Sequence, residues 1–223
     1  MEKTAFITGA SNGIGLALAQ QLLKDGYKVY GTSRNGTVDA IENENFESFA
    51  LDLSNHTTVE SLGKKIEQKG IKIDLLINNA GIGPDLNTSR PSRHTFEQTL
   101  AVNLTGTVFV TEVLEKQLRT GATVVFISSR MGSIDDRKRT DSVGYRVSKA
   151  GLNMYASIMV DRLADDQKVA IIHPGFVKTN ISPMNENGNL TPKESAKRIT
   201  KFITGDFESG VFWDVEGKGK LKW

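Results

Sequence analysis

A chain of 223 residues with 38% hydrophobic and 24% charged residues has the material for one folded domain spanning residues 1–223. With no cysteine it holds no disulfide and no thiolate metal site, which fits a reducing compartment. A formal net charge of +2 is too small to argue for nucleic acid, no apolar run approaches the ~20 residues of a membrane span, and Met1 leads into a strand-like segment without an apolar targeting stretch, so a cytoplasmic, soluble protein is expected.

Strand-like and helix-like segments alternate along the chain. Thr4–Thr8 is β-prone, and Ile14–Lys24 is helical with Leu16, Ala19, Leu22 and Leu23 on one face. Tyr27–Thr32 and Phe46–Leu51 read as strands, Thr57–Gln68 as a helix and Ile73–Ile77 as a fourth strand. A long helical segment, His94 to Leu118, precedes the apolar strand Thr123–Ser128. The pattern closes with a helix over Ser142–Ala164, a strand at Val169–Ile172, a helix at Pro192–Phe202 and a last strand at Val211–Trp213. Continuous apolar strands imply burial on both faces, and helices between them imply parallel βαβ units. The expected fold is α/β, a single-domain Rossmann fold with a doubly wound parallel sheet of about seven strands and helices on both faces.

The turn Thr8-Gly9-Ala10-Ser11-Asn12-Gly13-Ile14-Gly15 lies between the first strand and the first helix. Gly9 permits a tight turn, Gly13 lets backbone approach a pyrophosphate, and Gly15 allows close packing of the helix. The helix start offers free N–H groups and a positive dipole end to phosphates. Its spacing is neither the usual GxGxxG nor a GxxxxGK phosphate loop. At the end of the second strand, Thr32-Ser33-Arg34-Asn35 contains no acid for a ribose 2′-hydroxyl. Arg34 can pair with a 2′-phosphate and Ser33 can donate a hydrogen bond, so NADP(H) is expected over NAD(H); an exposed loop arginine is the bland alternative. Asp52 is placed to meet the adenine edge, together with backbone at Leu53.

Tyr145 and Lys149 stand four apart on a helix and share one face. A free phenol has a pKa near 10, and lowering it by ~3 units needs about 4 kcal/mol of differential stabilisation, which an ammonium and an oxidised nicotinamide can supply in a desolvated cleft. Alone, such a pair is a weak signal. Upstream, however, the buried strand ends in Ser128-Ser129-Arg130-Met131-Gly132, at the carboxyl end where open parallel sheets bind ligands. A hydroxyl there can stabilise charge developing on a substrate oxygen; Ser128 reads as a structural turn serine.

With these motifs the whole chain resembles the short-chain dehydrogenase/reductase family. The glycine turn, Asn78-Asn79-Ala80-Gly81, Ser129, Tyr145/Lys149 and Pro174-Gly175 occur in the family's order. Within it, Gly144–Met154 and the terminal Gly-Lys-Leu-Lys-Trp look like the short-tailed C-factor/sniffer-type carbonyl reductases. The resemblance implies Tyr145 as general acid/base, Ser129, three before Gly132, as partner of the carbonyl oxygen, and Lys149 also on the nicotinamide ribose. It implies that the backbone carbonyl of Asn103 holds a water in a proton relay. Asn79, Ala80 and Gly81 would line the adenosine ribose, with Ser11, Asn12 and Ile14 in the phosphate turn. Pro174, Gly175, Val177 and Thr179 would frame the nicotinamide.

Two departures stand out. The interval from Ser129 to Tyr145 is about three residues longer than the family's commonest spacing, with the excess in the charged stretch Asp135–Asp141, read as a solvated rim loop. Asn180–Leu190 is a short lid that suggests an open site. His56, His94 and His173 lack metal-ligand spacing, His173 reading as a strand-end packing residue, and adjacent Asp135 and Asp136 point apart, so no metal is expected. The helix after Tyr145 carries Leu152, Tyr155, Ile158, Met159 and Leu163, and in the resembled family it packs on a symmetry mate, so a homodimer is expected. The expected reaction is reversible hydride transfer between NADP(H) and a small-molecule carbonyl/alcohol pair. A non-catalytic dinucleotide-sensing or signalling protein on the same fold is the rival reading.

Overall fold

The computed structural model describes residues 2–217 and 219–223; Met1 and Lys218 lie outside them. Among the described residues, eight strands form one sheet in the order β3-β2-β1-β4-β5-β6-β7-β8. They are β1 (Thr4–Ile7), β2 (Lys28–Ser33), β3 (Phe46–Ala50), β4 (Ile73–Asn78), β5 (Leu118–Ile127), β6 (Lys168–His173), β7 (Phe212–Asp214) and β8 (Gly219–Lys220). The first seven pair in parallel, and β8 runs antiparallel to β7. Among the described residues the α-helices are α1 (Gly13–Lys24), α2 (His56–Gln68), α3 (Arg93–Leu100), α4 (Thr107–Glu115), α5 (Val143–Arg162) and α6 (Pro192–Ile203).

The continuous apolar strands have the predicted consequence. Phe6 on β1, Val124 and Phe126 on β5, and Val169 and Ile171 on β6 enter one core with Val59 and Leu62 of α2, Leu114 of α4 and Leu152 of α5. Their neighbours Ala5, Ile7, Val125, Ile127, Ala170 and Ile172 enter a second core with Leu18 and Leu22 of α1 and Ala196 and Ile199 of α6. Alternation thus feeds two cores from one sheet, and each fully buried aliphatic side chain contributes roughly 1.5–3 kcal/mol. The order reverses between β1 and β4, opening a crevice outside their carboxyl ends, where this architecture binds ligands.

The parallel strands number seven, as expected, and the two-residue antiparallel β8, too short to show a period, extends the sheet. Two other expectations are corrected. The helix expected from His94 to Leu118 is broken: Ala101–Gly106 is a π-helical turn, and Leu118 already pairs with Ile73 in the sheet. At that turn the buried Asn103 side chain bonds the backbone of Ile82, and Gly106 lies where any Cβ would strike the Leu53 carbonyl, so tertiary contacts widen the helix. Leu152 and Met159 of α5 and Leu163 after it belong to the core and only Ile158 of the expected set is exposed; Val147, Met154 and Ile158 of α5 and Phe109 of α4 are exposed. No described helix is long and apolar enough to cross a membrane.

Candidate active site

The glycine turn is stitched to both neighbouring strand ends. Gly9 donates to Thr32 Oγ1 at 3.1 Å, and Thr8 Oγ1 accepts the N–H groups of Asn79 and Ala80 at 3.0 and 3.1 Å. Gly9 has φ +70° and stands against Ala80, where a Cβ would lie 3.0 Å from its Cα; Gly13 has φ +55°. A Cβ on Gly15 would lie 2.1 Å from the Gly9 carbonyl oxygen, so the close approach is of the turn to itself. Asn79 donates both amide hydrogens to the Thr8 and Gly9 carbonyls at 3.0 and 3.1 Å, bracing the turn.

The turn suits a pyrophosphate. Asn12, the N-cap of α1, makes no side-chain cap, whereas Asn55, Ser92 and Thr191 cap α2, α3 and α6. The first N–H groups of α1, beside exposed Ser11 and Asn12 and half-buried Ile14, therefore face outward with no side-chain acceptor. Gly13 lies next to Thr179, whose Cγ2 would be 3.5 Å from a Cβ there, and Gly81 lies next to Asn103 and Lys149, at 3.3 Å from Oδ1 and 3.7 Å from Nζ by the same measure. Pro174 and Gly175 follow β6, and Val177 bridges Leu190, so this wall is held at both ends.

At the ends of β2 and β3, Ser33 and Asp52 have hydrogen-bond partners within the chain. The Ser33 hydroxyl turns back on its own loop, 2.8 Å from Asn35 Oδ1 and 2.7 Å from the Thr37 carbonyl, so its proton is engaged there. Arg34 is exposed and without a partner among the described residues. Asp52 Oδ1 accepts from the N–H and hydroxyl of Ser54 at 2.9 and 2.7 Å, and Leu53 is buried.

At the carboxyl end of β5, Ser129 leads a short 3-10 turn, its Oγ accepting the Met131 N–H at 3.2 Å. It hydrogen-bonds with the phenol of Tyr145. Lys149, 3% exposed, donates to the Ile127 carbonyl at 2.8 Å, with Nζ 5.7 Å from the centroid of the Tyr145 ring. Burial takes the lysine down to about 8. Burial also pushes the tyrosine up to about 12, against the Ser129 hydrogen bond and with the charge of Asp85. Burial raises the tyrosine because the charged phenolate loses water, and the expected phenolate is one favoured by Lys149 together with an oxidised nicotinamide ring. Asn103 Nδ2 donates to the Ile82 carbonyl at 2.8 Å and to Ser148 Oγ at 3.2 Å, and Ser148 in turn donates to the Tyr145 carbonyl at 2.8 Å. Ser128 is turned away, to Asn153.

The rim differs from an open cleft. A Cβ on Gly83 would meet Leu86 at 2.3 Å and Ile181 at 3.5 Å, and Asn87 Nδ2 donates to Ser182 at 3.3 Å, so the segment after β4 touches the 180–190 segment. Glu216 accepts the Phe176 N–H at 2.8 Å and the Asn189 amide at 2.6 Å, fastening both ends of that segment. In the 135–141 loop, Asp141 is paired by Arg139 and Arg146. Arg130 pairs with the buried Asp214, and burial lowers neighbouring His173 to about 4. Among the described residues no group of three or more His, Cys, Asp and Glu is placed to hold a metal ion. Asp85 and Thr8, to which sequence reasoning assigned no role, carry the densest contacts around the site.

A Rossmann sheet with a glycine turn at its switch point and a Ser–Tyr–Lys set beside it defines a dinucleotide-fold oxidoreductase class. Residues 3–189 match the family model described as short chain dehydrogenase, and the chain belongs to that family. It is 32% identical over 209 residues, 90% of this chain and 82% of the relative, to the 3-oxoacyl-acyl-carrier-protein reductase FabG of Buchnera aphidicola subsp. Schizaphis graminum. In structure it is similar to NADPH-bound carbonyl reductase from chicken fatty liver, at TM-score 0.84 and 25% identity over 100% of this chain and 99% of the other. It also shares its fold with the carbonyl reductase Sniffer of D. melanogaster, at TM-score 0.89 and 24% identity over both whole chains.

Proposed function

We propose that the chain is an NADP(H)-dependent oxidoreductase catalysing reversible hydride transfer between nicotinamide and a carbonyl/alcohol substrate, with Tyr145 as general acid/base. The observation that carries this reading is the contact of the Tyr145 phenol with Ser129, with Lys149 buried beneath the same ring. The carbonyl reductase and FabG names of its relatives support the reaction class.

The dinucleotide would rest on the N–H groups of α1 and along Ala80, Gly81, Lys149 and Thr179, and when bound it supplies the hydride chemistry. The chain's own part is proton handling and orientation. Ser129 and the Tyr145 phenol converge on one point, where a substrate oxygen accepts both hydroxyls. Tyr145 gives its proton to that oxygen in reduction and takes it back in oxidation. Lys149 holds positive charge near the ring while the phenol is ionised. Asn103 ties the π-helical turn to Ile82 and to the Ser148–Tyr145 backbone, so the carbonyls of that turn are held beside Lys149 as the route for proton resupply.

Arg34 supports NADP(H): it is an unpaired guanidinium at the end of β2, where no acid stands to repel a 2′-phosphate. Oxidation of NADPH against a panel of aldehydes, ketones and quinones, with NADH in parallel, tests the reaction and the cofactor together. Arg34→Ala is expected to raise the NADPH KM roughly tenfold to a hundredfold, the equivalent of one charge-assisted hydrogen bond of about 1.5–3 kcal/mol, and to leave the NADH KM unchanged. Preference for NADH in the parent would refute the cofactor assignment.

A homodimer belongs to the same proposal. Val147, Met154 and Ile158, at helical spacing on α5, present exposed apolar side chains, Met154 being 65% exposed. Met154→Glu is expected to shift sedimentation equilibrium from two chains to one; a parent that sediments as one chain contradicts the dimer.

A further inference from the structure

The start of α5, the helix that carries Tyr145, is capped from another part of the chain. Asp85, in the loop after β4, is 0% exposed. Its carboxylate accepts the N–H of Gly144 at 2.6 Å and that of Tyr145 at 3.1 and 3.2 Å. These are the second and third residues of the helix, whose N–H groups have no partner within it. The local cap is missing: Ser142 takes φ 57° and makes no side-chain cap, its hydroxyl lying 3.0 Å from Asp141 and accepting the Asn87 N–H at 2.9 Å. Ser142 N–H in turn donates to the Thr88 carbonyl at 2.9 Å. The loop and the helix start are thus fastened at three points, with the carboxylate innermost. A Cβ on Gly144 would stand 3.0 Å from Asp85 Oδ2, so glycine there lets the acid reach the backbone. Asp85 has no cationic partner among the described residues; the helix N-terminus and two N–H groups are its compensation.

We infer that Asp85 is a positioning residue that seats Tyr145 and keeps its phenol in the proton-donating form, widening toward high pH the window in which the site can reduce a carbonyl. This rests on the reading of Tyr145 as the acid/base. A helix N-terminus favours an anion near it, and the Asp85 charge takes that place, leaving less field for a second anion one side chain away. Burial is the larger influence holding the phenol protonated, the Ser129 hydrogen bond opposes it, and Asp85 adds to burial.

The other groups around Tyr145 are Lys149 on its own helix and Ser129 from β5. Arg93 and Glu97 of α3 pair with each other on the exposed side, with His94 exposed beside them. Asp141, before α5, is paired by Arg139 and Arg146, and Arg130 by Asp214. Among the described residues, Asp85 is thus a charge at the start of this helix that is met by backbone N–H groups and not by a cation.

The test is the pH profile of kcat/KM for reduction of the best carbonyl in the panel, with NADPH saturating, in the parent and Asp85→Asn. The asparagine keeps one acceptor and removes the charge. The midpoint of the basic limb is expected to fall by about one pH unit, a tenfold change in the ionisation constant. Amide hydrogen exchange at Gly144 and Tyr145 is expected to quicken roughly tenfold, as for a lost cap. Asp85→Ser, which also lacks the charge, replaces the asparagine variant if that does not fold. An unmoved midpoint overturns the inference. If no carbonyl is turned over at all, the acid/base reading fails instead, and unchanged exchange at those two amides then overturns the seating role as well.

Discussion

Tyr145→Phe is expected to lower kcat for carbonyl reduction by about a thousandfold while leaving NADPH affinity within a factor of about three. The size follows from what is removed: a positioned proton donor contributes typically 10²–10⁴ in rate, about 3–5 kcal/mol of barrier. Phenylalanine keeps the buried ring against Lys149 and α5, so only the hydroxyl and its contact with Ser129 are lost. Direct NADPH binding by fluorescence, beside single-turnover reduction, separates the two quantities. Equal turnover in mutant and parent would refute the proton-transfer role, whereas NADPH binding with no carbonyl turnover in the parent would favour a non-catalytic, dinucleotide-sensing chain. A loss of binding matching the loss of rate would show that the phenol holds the cofactor instead.

The features legible in the sequence are those written in local pattern. Unbroken apolar strands such as Val124–Ile127 announce burial on two faces, and the glycines at 9, 13 and 15 announce a turn, with positive φ at 9 and 13 and no room for a side chain at 15. Tyr145 and Lys149 are legible because helical spacing alone brings them to one face. Asp85 is not legible: it sits in an unpatterned loop, and its partners lie 59 and 60 residues away. The π-helical turn is hidden for the same reason, since Asn103 widens the helix through contacts with Ile82, 21 residues earlier. Sequence spacing shows which charges are near but not how much water both groups lose, so the burial that raises Tyr145 and lowers Lys149 is not legible either. The capture of the Ser33 hydroxyl by Asn35 and Thr37 is not legible, because a strand-end serine can turn either way.

The glycine turn sets the other large effect, because there the backbone itself is the binding surface. Gly15→Ala would put a Cβ 2.1 Å from the Gly9 carbonyl oxygen, 2.4 Å from Asn79 Nδ2 and 2.9 Å from the Gly9 carbonyl carbon. Two of those atoms are backbone held by Thr8, Thr32 and Asn79, so no flexible side chain can yield. Overpacking of this kind costs about 3 kcal/mol, and a chain of this size loses roughly 6–12 °C in Tm for it. The turn must also shift away from Asn79, carrying the first N–H groups of α1 with it. Loss of even one charge-assisted hydrogen bond to a phosphate weakens NADPH binding roughly tenfold to a hundredfold. Gly26→Ala is the matched control. Gly26 has φ +83° and nothing within 4 Å of an added Cβ, so it carries backbone strain alone and should lose stability with cofactor affinity unchanged. If Gly15→Ala loses only stability, as the control does, the turn is a packing device and the phosphates are held elsewhere. Combined loss of both, measured by thermal melting and NADPH titration on the same samples, ties the packing of Gly15 to the grip on the dinucleotide.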